Sequence, residues 1–155
     1  MKIKEKEGKM TNATMIEILL VDDDQGDIDL TLEVLELSKI KLNINTVKDG
    51  VECMEYLRKH GKYENAITPD LIFLDLNMPR KDGRVTLQEI KDDPELKRTP
   101  VVILTTSDAD KDIVGTYTSG ANCYVKKPVG LDEFQKVVQT VENFWFTVVK
   151  LPTKI

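Results

Sequence analysis

The sequence predicts an α/β fold with a parallel central sheet, and two observations support this prediction. From residue 16 onward, short apolar runs alternate with amphipathic segments, the pattern of βα units joined by right-handed crossovers. One run, "LIFL" at 71–74, is apolar on both faces, which is typical of a strand at the centre of a parallel sheet. The 155 residues suffice for one domain whose core needs no disulfide or metal.

Five apolar runs predict the strands of this sheet. The runs are IEILLV at 16–21, LNINTV at 42–47, LIFL at 71–74, VVIL at 101–104 and CYV at 123–125. After each run, apolar residues recur at the spacing of an amphipathic helix. The predicted helices cover 27–39, 50–60, 83–93, 110–119 and a segment that begins near residue 131.

Apolar spacing also predicts the buried side of each helix. We expect Gly61 at the C′ position that ends the second helix. The residues expected to face inward are Val85, Leu87 and Ile90 in the third helix and Ile113, Val114 and Tyr117 in the fourth. The fourth helix has few apolar residues, so we expect it to shift more readily than the others.

The last helix carries more aromatic residues than one packed face needs. Its apolar stripe recurs at spacings of three and four: Leu131, Phe134, Val138, Val141, Trp145 and Val148. Phe144 and Phe146 lie off this stripe. The surplus predicts either a second buried surface or aromatic residues that close the edge of the core.

Charge and cysteine content exclude several classes of protein. Lys and Arg total 22 against 27 Asp and Glu, a net charge of −5, and no basic block marks a nucleic-acid binder. Cys53 and Cys123 lack the spacing of a metal or redox motif, so we interpret them as small hydrophobic residues in a reducing compartment. The single histidine, His60, falls at a predicted helix end and is interpreted as structural.

Short segments, 1–15 and 151–155, flank the predicted domain at 16–150. The opening MKIKEKEGKMTNATM is charged and lacks the apolar core of a signal peptide, so we expect a flexible leader, in which an alternative start remains open. No run approaches the length of a membrane span, and the sequence therefore predicts a cytoplasmic protein without membrane contact.

Carboxylates follow the predicted strands at the edge where open α/β folds bind ligands. Asp22, Asp23 and Asp24 follow the first strand, and Asp75 follows the third. Carboxylates within a few ångströms repel one another, so their grouping predicts a hard divalent cation between them. Magnesium suits the site because it binds one or two carboxylates and a carbonyl, keeps several waters, and leaves room for phosphate oxygens.

A hydroxyl and an ammonium follow the other two strands at this edge. Thr105 follows the fourth strand and Lys127 follows the fifth. Cation, ammonium and hydroxyl together describe a pocket for a phosphoryl group, and Asp75, central among the strand ends, is the candidate nucleophile. Each residue alone has a plainer explanation as a turn or cap residue, but their joint placement favours a shared site.

On the segments VDDD, LIFLDLNMP, LTTS and YVKKP, the sequence closely resembles the receiver domain of two-component response regulators, from about residue 16 to 147. The resemblance implies a flavodoxin-like (βα)5 fold, a three-layer sandwich with parallel sheet order 2-1-3-4-5. It implies that Asp75 accepts a phosphoryl group from a phosphohistidine on a sensor histidine kinase or a phosphotransfer protein. Magnesium, or manganese, would be held by Asp23 directly, by Asp22 through water and by the Asn77 backbone carbonyl. Asp24 would fall outside the site.

The resemblance also implies roles for residues around the acceptor. Thr105 corresponds to the switch hydroxyl and Lys127 to the lysine that pairs with the phosphoryl group. Tyr124 corresponds to the aromatic reporter that swings inward when Thr105 moves, and Pro128 would follow a cis peptide bond. The loop beside the acceptor is matched by Met78, Pro79 and Gly83. Two residues would border the path of hydrolytic water and tune the lifetime of the phosphoryl group: Asn77 and Ser107.

The resemblance places the chain among signalling proteins that catalyse, at most, their own phosphorylation and a slow autodephosphorylation. The ending ENFWFTVVKLP is most similar to stand-alone regulators that partner bacteriophytochromes and related sensor kinases. Several of those dimerise through the fourth helix, the fifth strand, the fifth helix and the aromatic C-terminal extension, which implies a homodimer through the 108–150 face. Phosphorylation would then shift a pre-existing equilibrium of the fourth helix and fifth strand, and the signal would pass by protein contacts.

Three other classes of protein compete with this interpretation. A dehalogenase-type phosphatase also uses a nucleophilic aspartate, but it needs a second acid two residues later, where this sequence has Asn77. A pseudo-receiver or phosphate sink is disfavoured because the residues for phosphorylation are all present: Asp22, Asp23, Asp75, Thr105 and Lys127. A P-loop nucleotidase is excluded because the GxxxxGK motif is absent.

Overall fold

Five strands form one parallel sheet at the centre of the molecule. The computed structural model describes residues 15–152. The strands are β1 (Ile16–Val21), β2 (Leu42–Val47), β3 (Leu71–Leu74), β4 (Val101–Thr105) and β5 (Cys123–Lys126). Their order is β2-β1-β3-β4-β5, and every neighbouring pair is parallel. The predicted sheet is confirmed, and β4 and β5 each extend one residue beyond the predicted ranges.

Five helices pack against the sheet. They are α1 (Gln25–Leu35), α2 (Gly50–Leu57), α3 (Gly83–Asp92), α4 (Asp110–Thr118) and α5 (Leu131–Asn143). Short helical turns follow α2, at Gly61–Tyr63, and α5, at Phe144–Val148. Among the described residues, no helix has the length and apolar character needed to cross a bilayer. The leader lies outside the described range except for Met15, so the division into leader, domain and tail stays a prediction.

Side chains that alternate along the buried strands build two apolar clusters, one on each face of the sheet. On one face, Leu19, Ile72 and Ile103 pack with residues of α2 and α3. On the other face, Leu20 and Phe73 pack with residues of α1, α5 and the turn after α5. All four residues of β3 are buried, as expected for a central strand. The residue that follows β3 is therefore held firmly at the carboxyl edge of the sheet.

The ends of α1 differ from the predicted ones. The helix begins at Gln25 because the Asp24 side chain caps it, accepting a hydrogen bond from the Asp27 backbone amide at 3.0 Å. It ends at Leu35 rather than at residue 39. The Ser38 hydroxyl accepts a hydrogen bond from the backbone amide two residues later at 3.1 Å, and this local turn replaces the last predicted helical turn.

The end of α2 also corrects the prediction. The helix ends at Leu57, and Lys59 rather than Gly61 takes the left-handed C′ conformation, with a φ of 58°. Gly61 has a φ of 58° as well, but it opens the following turn. That turn brings the ring of Tyr63 to 5.2 Å from the ring of Tyr56. The glycine therefore serves the turn after the helix cap.

The inward face of α3 is narrower than predicted. Leu87 and Ile90 are buried, but Val85 is exposed. Residues two apart point to different sides of a helix, so Val85 cannot share the face of Leu87.

Polar residues, not the predicted apolar ones, hold α4. The residues expected to be buried are half-buried or exposed: Ile113, Val114 and Tyr117. The residues of α4 that are buried are Asp112 and Thr116. The helix packs beside β5 at the edge of the sheet, where Asp112 meets the Arg84 guanidinium rather than an apolar surface.

A π-helical turn, Phe144–Val148, decides where the C-terminal aromatic residues point. The Val149 backbone amide donates to the Phe144 carbonyl at 2.9 Å, five residues back, which inserts one extra residue into the turn. Trp145 and Phe146 are therefore both buried in the core. Phe144 is 48% exposed, and its ring stands edge-on to Trp145. The core-edge interpretation is confirmed for Trp145 and Phe146.

The rest of the predicted stripe is buried only in its middle. Phe134 and Val138 are buried, and Val141 is partly buried. Leu131 in the first turn of α5 and Val148 at the end of the π-helical turn are exposed. Both ends of the stripe therefore leave apolar side chains at the surface.

Alanine at position 145 should cost core packing, whereas alanine at position 144 should not. We expect Trp145→Ala to lower the free energy of unfolding by about 3–5 kcal/mol, because it removes apolar contacts and leaves a cavity. Phe144→Ala, the matched control, should change it by less than about 1 kcal/mol. Urea denaturation measures both, and equal losses would contradict the different burial of the two rings.

Candidate functional site

The carboxyl edge of the sheet brings the predicted acidic residues together. One carboxylate oxygen from each of Asp22, Asp23 and Asp75 lies within 4.8 Å of the other two. Asp22 and Asp75 are buried, whereas Asp23 faces solvent. Oxygen ligands at this spacing suit a hard divalent cation, which would offset the repulsion between the carboxylates. The residues present therefore fit a divalent metal site.

Backbone contacts hold Asp75 on both sides. Its amide donates to the Val21 carbonyl at 2.9 Å, which ties it to β1. The Asn77 amide donates to Asp75 Oδ1 at 3.4 Å, so the chain bends over the carboxylate. A β-carbon on Gly83 would lie 2.1 Å from the Asp75 carbonyl oxygen, so only glycine allows this close approach. The acceptor candidate is therefore fixed relative to β1 and α3.

Lys127 contacts three carboxylates from the centre of the cluster. Its ammonium donates to Asp22 Oδ2 at 2.5 Å and to Asp27 Oδ2 at 3.0 Å, and it lies 3.5 Å from Asp75 Oδ2. The side chain is 3% exposed. Burial would lower the pKa of Lys127, but the bond to Asp22 and the other nearby carboxylates raise it to about 12. The ammonium is therefore a fixed positive charge.

The burial of Asp22 works against its charged form. Burial raises the pKa of this carboxyl above its usual value, although hydrogen bonds from Lys127 and from the Asp24 amide favour the carboxylate. A cation beside Asp22 would favour the charged carboxylate further. The electrostatics of Asp22 thus agree with the divalent site that the oxygen spacing indicates.

Thr105 ends β4 with a buried hydroxyl that has no partner. Within residues 15–152, its Oγ1 is the one buried side-chain oxygen or nitrogen that makes no hydrogen bond. A buried hydroxyl left unpaired costs about 1–3 kcal/mol, so this atom marks a place where a ligand oxygen can accept a hydrogen bond. The Thr105 carbonyl accepts from the Lys127 amide at 2.6 Å, which keeps the two residues at the same edge.

A series of polar contacts links α3 to β5 beside the carboxylates. Arg84 Nε and Nη2 donate to the two carboxylate oxygens of Asp112 at 2.6 and 2.8 Å. Asp112 also accepts from the Ser107 hydroxyl at 2.6 Å, and the Ser107 carbonyl accepts from the Tyr124 hydroxyl at 2.8 Å. Arg84 and Ser107 hold the pKa of Asp112 well below its usual range. The partly buried Tyr124 is thereby bonded to the loop after β4.

The structure corrects the prediction for Pro128 and locates three other predicted residues, Asp24, Asn77 and Ser107. The peptide bond before Pro128 is trans, so the predicted cis bond is wrong. The trans form of X-Pro bonds is favoured by about 0.5–1 kcal/mol, and Lys127 reaches its carboxylates with it. Asp24 caps α1 outside the carboxylate cluster, as expected. Asn77 is exposed and Ser107 is half-buried.

Three residues of this region were not predicted from the sequence: Asp27, Arg84 and Asp112. Asp27 lies in the first turn of α1, and its spacing of seven and eight residues from the apolar Val34 and Leu35 was a signal that it lies on the buried side of the helix. Arg84 and Asp112 are 28 residues apart. No local pattern marks such a pair, although the scarcity of apolar residues in α4 indicated that something else must anchor this helix.

Comparison with known proteins identifies the family. A family model of the response regulator receiver domain matches residues 18–139, which is most of the chain. The chain belongs to this family. The part of the receiver that matches contains all the candidate site residues: Asp22, Asp23, Asp75, Asn77, Thr105, Ser107, Tyr124, Lys127 and Pro128.

Similar proteins cover nearly the whole receiver. Response regulator Rcp1 from Synechocystis sp. is 47% identical over 135 residues, which are 87% of this chain and 92% of Rcp1. The crystal structure of Mn2+-bound Rcp1 has a TM-score of 0.87 and 46% identity, covering 89% of this chain and 99% of that chain. The phosphorylated cyanobacterial phytochrome response regulator RcpA has a TM-score of 0.87 and 47% identity, covering 90% and 99%. The receiver is a response regulator of two-component signalling.

Removing the charge of Asp112 should destabilise the receiver in a pH-dependent way. We expect Asp112→Asn to lower the free energy of unfolding near pH 7 by about 1–3 kcal/mol, because Arg84 and Ser107 lose a charged acceptor. The pKa of Asp112 is lower in the folded than in the unfolded chain. Its contribution is therefore complete above about pH 5, begins to decline near pH 4, and is lost as the pH falls further toward the lower pKa of the folded chain. Urea denaturation at a series of pH values should show that the difference in the free energy of unfolding between wild type and variant becomes smaller as the pH falls.

A surface pair in the same segment supplies the control for this prediction. Asp108 pairs with Lys126 at 2.9 Å, and both side chains are exposed. Asp108→Asn should leave stability nearly unchanged at every pH, because exposed pairs contribute little. The role of the buried pair would be contradicted if Asp112→Asn had the same free energy of unfolding as the wild type near pH 7. It would also be contradicted if the difference between the two became larger in acid.

Proposed function

We propose that the receiver accepts a phosphoryl group on Asp75 and that the phosphorylated form signals through protein contacts. The observation that carries this proposal is the set of groups at one sheet edge. A buried carboxylate lies beside two further carboxylates, a buried ammonium and an unpaired hydroxyl. The proposed donor is a phosphohistidine on a sensor histidine kinase or a phosphotransfer protein. The likeness to RcpA, a phytochrome response regulator, supports a phytochrome-like kinase as the partner.

Phosphoryl transfer to Asp75 needs positioning and charge more than covalent machinery. A carboxylate oxygen of Asp75 attacks the phosphorus atom, the bond from phosphorus to the donor's imidazole nitrogen breaks, and its electron pair stays on that nitrogen. The Lys127 ammonium stabilises the negative charge of the phosphoryl oxygens. We infer that the Thr105 hydroxyl donates to one of these oxygens, which gives it the partner that the resting structure lacks.

Magnesium is the proposed cation, with manganese as the alternative. Asp22, Asp23 and Asp75 would hold it together with the Asn77 backbone carbonyl. The bound ion supplies positive charge that offsets the charge of the carboxylates and of the phosphoryl oxygens. Asp22 already binds Lys127, which supports Asp23 as the direct ligand and Asp22 as a ligand through water. The Mn2+-bound structure of the relative Rcp1 also supports a divalent ion.

Phosphorylation is proposed to act on α4 and β5 through the loop between β4 and α4. When the Thr105 hydroxyl turns to the phosphoryl group, this loop moves with it. Ser107 in the loop is bonded to Asp112 of α4 and to Tyr124 of β5. The balance between two arrangements of α4 then shifts. We propose that Asn77 and Ser107 set how fast water removes the phosphoryl group. The acceptor is the chain's own carboxylate, so the receiver turns over no separate substrate.

The 108–150 face is proposed as a homodimer and signalling surface. Of the nine large apolar residues that are exposed within the described range, six lie in this segment: Val114, Tyr117, Val129, Leu131, Phe144 and Val148. Exposed apolar residues that recur on one segment favour a protein interface. The net charge of −5 supports the absence of nucleic-acid binding. The free thiols of Cys53 and Cys123 support the cytoplasm as its compartment.

Incubation with phosphoramidate and Mg2+ should add one phosphoryl group to the wild-type receiver. Asp75→Asn should take up none, because an amide is a poor nucleophile. Asp29→Asn, a change of the same kind at an exposed position of α1, should be labelled like the wild type. Intact-protein mass spectrometry counts the groups. Equal labelling of Asp75→Asn would contradict the acceptor, and labelling that persists in EDTA would contradict the cation.

Polar substitutions on the 108–150 face should weaken self-association. We expect the double variant Val114→Ser, Phe144→Ser to raise the dissociation constant of the dimer at least about tenfold, because apolar contacts dominate such interfaces. Sedimentation equilibrium at several concentrations measures this constant. Leu37→Ser, an exposed apolar residue outside the face, is the matched control. A wild type that is monomeric at all concentrations, or a dimer that the double variant leaves intact, would contradict this surface.

A further inference from the structure

Asp27 is the partner of Lys127 that lies outside the carboxylate cluster. Three carboxylates surround the ammonium, those of Asp22, Asp27 and Asp75. Asp22 and Asp75 belong to the group of oxygens that can share a cation, and Asp27 does not. The three proton donors of the ammonium thus divide between the metal site and one residue beside it.

The backbone of Asp27 is fixed firmly enough to hold another side chain. Its amide donates to the Asp24 carboxylate at 3.0 Å, and its carbonyl accepts from the buried Thr31 hydroxyl at 2.7 Å. The next residue, Ile28, is buried in the core. The Asp27 side chain is 29% exposed, and its Oδ2 lies 3.0 Å from Lys127 Nζ. Asp27 therefore reaches Lys127 from a rigid first turn of α1.

Binding of a cation changes which carboxylates remain available to Lys127. Asp22 and Asp75 would then share their charge with the cation, and phosphorylation would convert one oxygen of Asp75 into the bridging oxygen of an acyl phosphate. Both changes weaken the hold of these residues on the ammonium. A lysine side chain has many rotamers, so an ammonium with fewer partners spends less time near the phosphoryl oxygens.

We propose that Asp27 is a positioning residue. It keeps the Lys127 ammonium directed at the phosphoryl group when Asp22 and Asp75 share their charge with the cation. The proposal rests on Asp75 as the acceptor, because only then does a phosphoryl group lie beside Lys127. The proposal also predicts the direction in which removing the Asp27 charge changes the affinity for an anion at Asp75. As an anchor for Lys127, Asp27 strengthens the binding of an anion at Asp75, whereas as a simple negative charge it would repel that anion.

The test measures the dissociation constant for beryllofluoride, a phosphoryl analogue, by calorimetry at saturating Mg2+. Asp27→Asn keeps the size of the side chain and removes its charge. We expect it to weaken binding about tenfold, the effect of losing one charge-assisted hydrogen bond. Asp27→Glu should recover part of the affinity, because it restores the charge. Asp29→Asn on the same helix, where the side chain contacts Gln25, should bind like the wild type.

A double-mutant cycle shows whether Asp27 acts through Lys127. On a Lys127→Met background, Asp27→Asn should cause no further loss, because the ammonium that it positions is gone. The proposal is overturned if Asp27→Asn binds as tightly as the wild type or more tightly, or if its loss persists in full without Lys127. A different result would defeat the acceptor assignment itself: no binding by the wild type, or equal binding by Asp75→Asn.

Discussion

Lys127 is almost completely buried, yet its ammonium carries a full charge among carboxylates that are themselves buried or half-buried. Asp22 and Asp75 could not lie as buried carboxylates at the ends of the apolar strands β1 and β3 without a nearby positive charge, because burying unpaired charges costs too much. The edge holds one ammonium and four carboxylates, the three that contact Lys127 and that of Asp23, so it remains negative. That remaining charge explains why the site suits a divalent cation.

The rest of the sheet edge divides into a side fixed by backbone contacts and a side held by polar side chains. On one side, β1 and the Gly83 contact fix the backbone of Asp75, the proposed acceptor. On the other side, Thr105 has an unpaired hydroxyl, and α4 is anchored by the Arg84–Asp112 ion pair instead of an apolar face. An element held by a few polar contacts can change position at a modest cost in free energy. This contrast suits a receiver in which the site of phosphorylation is fixed and α4 changes position to transmit the signal.

Features that depend on neighbouring residues were predicted correctly, whereas features that depend on contacts between distant residues were not. The five strands were predicted nearly to the residue, because apolar runs are a local signal. The buried face of α4 was predicted wrongly, because the anchor of Asp112 is a guanidinium 28 residues away. Phe146 was predicted to lie off the apolar stripe of the last helix, but it is buried. A single π-helical turn changes the side of the helix that it faces, and no pattern in the sequence marks this turn.

The sequence by itself determined the sheet, the grouping of Asp22, Asp23 and Asp75 at its edge, and the presence of Thr105 and Lys127 there. These residues end a strand or follow one within two positions, and parallel strands bring their carboxyl ends together whatever the helices do. Only the tertiary structure decided which carboxylates share the ammonium, which residues hold α4, and which aromatic rings close the core. Those choices depend on distances between separate elements and on the exact phase of each helix, and neither is contained in the local pattern of residues.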